Sequence, residues 1–223
     1  GVGAGEQVAV VGATGSGKST LALLITRLAD PVVGQVSVGG VDLRDVANDE
    51  LRTRVVLVPQ DPFLFEGTIE HNLLFAAPGA DHTTLEDAFS RLGLGDWLAG
   101  LPEGLATPVG ERGNQLSAGE RQLVALVRAA LVDPSILVLD EATSSVDPIT
   151  ETRLGRALDR LAEGRTTIAI AHRLSTAARA QRVLVFERGR LVEHGSHAQL
   201  LDTGGVYAGL YAHWLAATEA PGR

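Results

Sequence analysis

Gly12-Ala13-Thr14-Gly15-Ser16-Gly17-Lys18-Ser19-Thr20 decides how this chain folds. The spacing is glycine, four residues, glycine, lysine and a hydroxyl residue; in this composition a chance match has odds of roughly one in a thousand. Ahead of it, Gln7-Val8-Ala9-Val10-Val11 reads as a buried strand. Behind it, Leu21, Leu24, Ile25 and Leu28 recur at helical spacing until Asp30-Pro31, which ends the helix. Strand, glycine loop and helix in this order aim backbone N–H groups and a helix N-terminus at phosphate oxygens. Lys18 is the single lysine of the chain, where all other positive side chains are arginine. A compact ammonium fits between phosphates in a way the broad guanidinium fork does not. Lys18 is therefore expected on β- and γ-phosphates, and the Ser19 hydroxyl on Mg²⁺.

A second chemical cluster lies far along the chain. Ser135-Ile136-Leu137-Val138-Leu139-Asp140-Glu141 is an unbroken apolar run ending in two acids. Such runs form central strands of a parallel sheet covered on both faces, and ligands of open α/β sheets gather at the carboxyl ends of those strands. Asp140 is expected to hold Mg²⁺ through water, and Glu141 to orient or deprotonate the attacking water. An acid pair that only caps a helix is the plainer alternative, and the co-occurrence with the phosphate loop weighs against it.

Composition narrows the class. The 223 residues suffice for one large domain. There is no cysteine, so disulfides and thiolate metal sites are excluded, which fits a reducing compartment. A formal charge of −8 argues against nucleic acid as a partner held by a basic face. Mean hydropathy is +0.14, yet no apolar stretch approaches the ~20 residues of a spanning helix. Methionine is absent and the chain opens Gly1-Val2-Gly3, so a processed product or a piece of something longer is expected. Arginine in place of lysine, with abundant Ala, Gly and Val, resembles the codon bias of a GC-rich bacterium.

Between the two clusters stands Gln115-Leu116-Ser117-Ala118-Gly119-Glu120-Arg121-Gln122. It resembles the signature motif of ABC-type ATPases, usually Leu-Ser-Gly-Gly-Gln, at the family's spacing ahead of the acidic strand. Val58-Pro59-Gln60 resembles the Q-loop, Ser144-Ser145-Val146-Asp147 the D-loop, and Ile168-Ala169-Ile170-Ala171-His172 the switch-histidine strand. Thr107 to Gly113 and Gln60 to Ile69 match the exporter forms of their loops. The resemblance covers essentially the whole chain and implies an α/β fold: a P-loop NTPase (RecA-like) core with a parallel sheet, a helical signature subdomain and a truncated antiparallel β subdomain. It implies one ABC ATPase domain, residues 1–223, with its core at 1–60 and 135–223 and the helical part at about 61–134.

The same resemblance implies a mechanism. Two such domains, identical or different, close head to tail with ATP and Mg²⁺ between the phosphate loop of one and the signature of the other. Gly12, Gly15, Ser16, Gly17, Lys18, Ser19 and Thr20 would bind nucleotide from one side, with Ser117, Gly119 and Asp147 from the other. Ser19, Gln60 and Asp140 would hold the metal, and Glu141, His172 and Gln60 would carry catalysis. The implied function is an ATPase that powers substrate export, working with transmembrane domains fused N-terminally, at the cytoplasmic face of the inner membrane. Family members carry two or three more strands before the phosphate loop, with an aromatic residue that stacks on adenine. The chain starts 11 residues ahead of Gly12, so weaker ATP binding than that of a longer chain is expected.

Departures and plainer readings stand beside this. Ala118 replaces a glycine and Glu120 the glutamine of the signature; Ser117 and Glu120 also fit a capping box opening a helix with apolar Leu123, Leu126, Val127, Ala130 and Leu131. A degenerate regulatory half of a heterodimeric exporter is the first alternative. A soluble ABC ATPase of the DNA-repair kind is the second; such proteins carry a long coiled coil between phosphate loop and signature, and residues 19–117 of this chain show no sustained heptads. His194 and His197 read as surface histidines. Phe63-Leu64-Phe65 forms an apolar loop patch facing the transmembrane domains by resemblance, and Tyr207, Leu210, Tyr211 and Trp214 read as core packing.

Overall fold

The apolar run before the glycine loop is β1 (Gln7–Val11), and α1 (Lys18–Ile25) follows the loop. The computed structural model describes residues 1–140, 146–171 and 174–219. A small antiparallel pair, β2 (Ser37–Val38) with β3 (Val41–Asp42), precedes α2 (Asn48–Arg54) and β4 (Val55–Val58). Then come α3 (Ile69–Leu74), α4 (His82–Leu92), α5 (Gly95–Ala99) and α6 (Ala118–Val132). The chain continues through β5 (Ile136–Asp140), α7 (Pro148–Ala162), β6 (Thr166–Ile170) and α8 (Leu174–Arg179). It finishes with β7 (Arg182–Glu187), β8 (Arg190–Gly195), α9 (His197–Thr203) and α10 (Val206–Glu219).

These elements form two compact units. The first contains Gly1–Leu57, β5 and the elements from β6 onward. Its sheet runs β4-β5-β6-β1-β7-β8, with β1 parallel to both β6 and β7 and β5 parallel to β6. Val8 to Val11 and Leu137 to Leu139 are all buried, which is why these strands are continuously apolar instead of alternating. β8 is antiparallel to β7. Only Arg188 and Gly189 lie between the strands, both at positive φ (50° and 76°), a two-residue hairpin turn whose twist matches the strands it joins.

Alternation along the strands separates two cores. Ala9, Val11, Val183 and Val185 pack with Leu200 and Tyr207, and Leu210, Tyr211 and Trp214 close over them, as the helical spacing of the tail predicts. Ala22, Leu43, Leu51, Val138 and Ile170 make the other. One expectation fails: α1 ends at Ile25, short of Asp30-Pro31. The Thr26 hydroxyl donates to the Ala22 carbonyl (2.8 Å), Arg27 takes φ 53°, and the Leu28 N–H closes on the Leu23 carbonyl (2.8 Å). This is a Schellman stop with arginine at the left-handed position. The Arg27 guanidinium is tied to the Val46 carbonyl at 2.9 Å, and Leu28 is left 67 % exposed instead of on the buried face.

The second unit runs from Val58 through Ser135 and includes α7. Its centre is α6, which packs against α3, α4 and α7. Leu123, Leu126, Val127 and Ala130 are buried as their spacing requires, while Leu131 is partly exposed.

Candidate nucleotide-binding site

The glycine loop springs from the C-terminal end of β1; at Gly12 nothing larger fits, and Gly15 and Gly17 hold the left-handed φ values of 79° and 99° that glycine favours. A Cβ on Gly12 would lie 2.2 Å from the Phe186 carbonyl oxygen and 2.6 Å from Ser16 Oγ. Gly17 has φ 99° and caps α1 without a side chain, and there is no acid in the first turn. The first-turn N–H groups of α1 thus keep their positive end free for an anion. The β7–β8 turn folds over the loop, Gly189 N–H donating to the Ser16 carbonyl at 2.8 Å.

Lys18 sits inside this loop. Its ammonium donates to the carbonyls of Gly12 (2.9 Å) and Ala13 (3.1 Å) and reaches Ser16 Oγ at 3.5 Å. Lys18 and Ser16 are both buried, whereas Ser19, Thr20 and Gly15 are exposed. Burial pushes the Lys18 ammonium below the usual lysine range, and the Asp140 carboxylate pulls it back up. The sheet register explains that nearness: Asp140 pairs with Ile170 and Ile170 with Val10, so the acid stands level with the mouth of the loop, two strands away. A buried cation and uncapped helix N–H groups give this loop the chemistry of an anion cradle, with the Asp140 carboxylate near it. Glu141 and His172, expected just beyond the ends of β5 and β6, lie outside the described residues.

The remaining expected residues belong to the second unit. Ser117 is the N-cap of α6, and its Oγ accepts from the Glu120 N–H while a Glu120 oxygen accepts from the Ser117 N–H, the expected capping box. Asp147 caps α7, accepting from the N–H groups of Ile149 (3.1 Å) and Thr150 (3.0 Å). Those bonds hold its carboxyl below the usual aspartate range. Gly119 joins the two caps: a Cβ there would stand 2.5 Å from Thr150 Cγ2 and 2.7 Å from Val146 Cγ1. The first turns of α6 and α7, with their caps Ser117 and Asp147, thus lie against each other at Gly119. Gln60 is exposed, its carbonyl accepting from Gln122 Nε2 at 3.0 Å.

Other residues gain a role only from the structure. In Phe63-Leu64-Phe65 the middle side chain is buried, while Phe63 and Phe65 are 54 % and 42 % exposed. Phe75, unremarked in the sequence, is 55 % exposed and stacks on Phe65 with ring centroids 4.1 Å apart. Asn72 is fully buried beneath, donating to the carbonyls of Phe65 (2.8 Å) and Thr68 (2.9 Å) and accepting from the Phe65 N–H (2.8 Å). Arg128 of α6 ties off the cluster on the carbonyls of Asn72 (2.8 Å) and Phe63 (2.7 Å). The signal was legible after the fact: Asn72 and Arg128 are polar residues inside apolar runs. His197 is taken by the Tyr207 hydroxyl at 2.7 Å, and His194 is exposed.

The chain is similar to known proteins in sequence and in fold. The sequence profile of the family described as ABC transporter matches residues 1–144. The uncharacterized ABC transporter ATP-binding protein YknV of Bacillus subtilis is 46 % identical over 207 residues, 93 % of this chain and 34 % of the relative. An ATP-dependent lipid A-core flippase of Bordetella avium is 46 % identical over 208 residues, 93 % of this chain and 35 % of its own length. An ATM1-type heavy metal exporter of Novosphingobium aromaticivorans is 44 % identical over 215 residues, 96 % of this chain and 35 % of its own length. The chain therefore spans about a third of the length of these curated relatives. Among solved structures, a bacterial Atm1-family ABC exporter with ATP bound matches at TM-score 0.89 and 42 % identity, over 100 % of this chain and 38 % of that one. The chain belongs to the ABC transporter family, as an ATP-binding domain of the exporter type.

Proposed function

We propose that this chain hydrolyses ATP in a site shared by two nucleotide-binding domains joined head to tail, and that the cycle drives export through membrane-spanning domains fused to it. The reading rests on the buried Lys18 ammonium, gathered by loop oxygens beside uncapped helix N–H groups and answered by Asp140. Such a loop grips the β- and γ-phosphates, with Gly12, Gly15, Ser16, Gly17 and Thr20 shaping it and Ser19 in the first turn of α1.

Ser19 and Asp140 supply hard oxygen donors of the kind Mg²⁺ takes, with Gln60 joining them by family resemblance. Held by these donors, Mg²⁺ would supply positive charge to offset that of the phosphates. Ser117, Gly119 and Asp147 of the opposing domain cover the nucleotide. Glu141 serves as base or water-orienting group, and His172 holds the γ-phosphate and Glu141 together. Phosphoryl transfer depends on positioning and charge stabilisation, so a site completed only on closure gates hydrolysis.

The exposed aromatics Phe63, Phe65 and Phe75 suit contact with the transmembrane domains. No described helix is long and apolar enough to cross a membrane. Likeness to membrane exporters supports work at the cytoplasmic face, beside spanning partners. Two similar relatives differ in the cargo of their names, lipid A-core and heavy metal; cargo choice is assigned to parts outside this chain.

The test is the specific ATPase rate against chain concentration. It should climb as dimers form, vanish in Lys18→Ala, and collapse in Glu141→Gln while ATP-dependent association persists. A rate per chain that stays constant on dilution would remove the shared site.

A further inference from the structure

The end of α6 carries a carboxylate in a place where the reading above puts a phosphate, and the surrounding bonds fix where that carboxylate points. One Glu120 oxygen accepts from the Ser117 N–H at 2.9 Å. The other accepts from the indole N–H of Trp97 at 3.4 Å. Trp97 is 6 % exposed and packs against the fully buried Phe89, so it anchors the acid from within the helical unit. Ser117 and Ala118, one turn away, are exposed. Among the described residues no arginine stands within ion-pair range of Glu120, and neighbouring Arg121 points instead at the Leu116 carbonyl and Asp61. Two donors converge on residue 120. A carboxylate offers a separate oxygen to each; a carboxamide in the same orientation would turn its NH₂ group toward one of the two donors.

A helix N-terminus carries about half a positive charge, which attracts a phosphate. A full negative charge pinned in the same turn cancels it and leaves a net repulsion. We infer that Glu120, held by Trp97, is an affinity-setting residue: it weakens the grip of the Ser117 end of α6 on the terminal phosphate of ATP carried by a second copy of this chain. Glu120 does not touch the nucleotide; it acts through the field at Ser117. The consequence is a sandwich that forms at higher ATP and parts more readily than one closed by an uncharged signature. The inference rests on the head-to-tail reading above.

Capping boxes accept Glu or Gln at this position, so Glu120→Gln removes charge while keeping the cap, once the Trp97 donor is also removed. The experiment compares wild type, Trp97→Phe, and Trp97→Phe with Glu120→Gln, following dimer formation by sedimentation velocity with a non-hydrolysable ATP analogue and Mg²⁺. Urea unfolding of each variant checks that the fold holds. Trp97→Phe should leave the half-saturating analogue concentration within about twofold, and adding Glu120→Gln should lower it about 3- to 10-fold. The gap should shrink as salt rises, since screening acts on charge and not on a capping bond. Equal half-saturation in the two variants, with both dimerising, would overturn the role of Glu120 alone. No analogue-dependent dimer in any form, wild type included, would overturn it together with the head-to-tail reading.

Discussion

Arg128 and Asn72 complete one another: the guanidinium donates to both the backbone carbonyl and the side-chain oxygen of Asn72, and the carboxamide below then grips Phe65 and Thr68. Through this pair α6, which is capped by Ser117, carries the loop that displays Phe63 and Phe65.

Breaking the pair leaves buried polar groups without partners, which costs more than the bonds themselves contribute. Asn72→Ala should lower the free energy of unfolding by about 2–4 kcal/mol, read as a shift of the urea midpoint at constant slope. Arg128→Lys should recover only part of the loss seen in Arg128→Ala, because a point-like ammonium cannot span the three acceptors that the fork reaches.

Gly119 is a spacing residue between the first turns of α6 and α7. Gly119→Ala drives a methyl group to within 2.5 Å of Thr150 Cγ2, so the Ser117 cap must shift off the Asp147 cap. The KM for ATP should rise while kcat changes less. Adding Thr150→Ser deletes the clashing methyl and should restore part of the loss; no restoration in steady-state kinetics would assign the defect elsewhere.

Gly12→Ala should abolish nucleotide binding without unfolding the chain. The new Cβ would meet the Phe186 carbonyl at 2.2 Å, pushing the loop away from the hairpin that covers it. Calorimetric titration with ATP should show no binding heat, and circular dichroism an unchanged helix content. Wild-type affinity would mean that the loop can yield at no cost.

Tyr207 predicts a pH limit. Its fully buried hydroxyl is pushed up to about 12 from 10.0, chiefly by burial. A raised acid favours the folded state below the unfolded value, and this contribution is lost as pH climbs through the folded one. Stability should therefore fall between about pH 10 and 12 at up to ~1.4 kcal/mol per pH unit. Urea titrations across that range should show the fall in wild type and a flatter profile in Tyr207→Phe.

The legibility of this chain followed the range of the forces involved. The glycine loop, the apolar strands and the Ser117 cap were readable because each is written in a few consecutive residues by sterics, burial or local hydrogen bonding. The end of α1 was misread because Arg27, with its side chain tied to Val46 nineteen residues away, occupies the left-handed stop that glycine usually marks. The Asn72–Arg128 pair is not legible locally because 56 residues separate its members, and the Phe65–Phe75 stack depends on how the segment between them folds.

By itself, then, the sequence determined an α/β chain with a phosphate loop, an acidic strand end and a signature helix, since strand and helix periodicity and glycine geometry are local. Only the tertiary structure decided that Asp140 stands in the electrostatic neighbourhood of Lys18 through a shared register with β6 and β1, that Gly119 lets two helix caps meet, and that Trp97 bonds the Glu120 carboxylate. Those are encounters between segments far apart in the chain, and packing, not propensity, sets which of them occur.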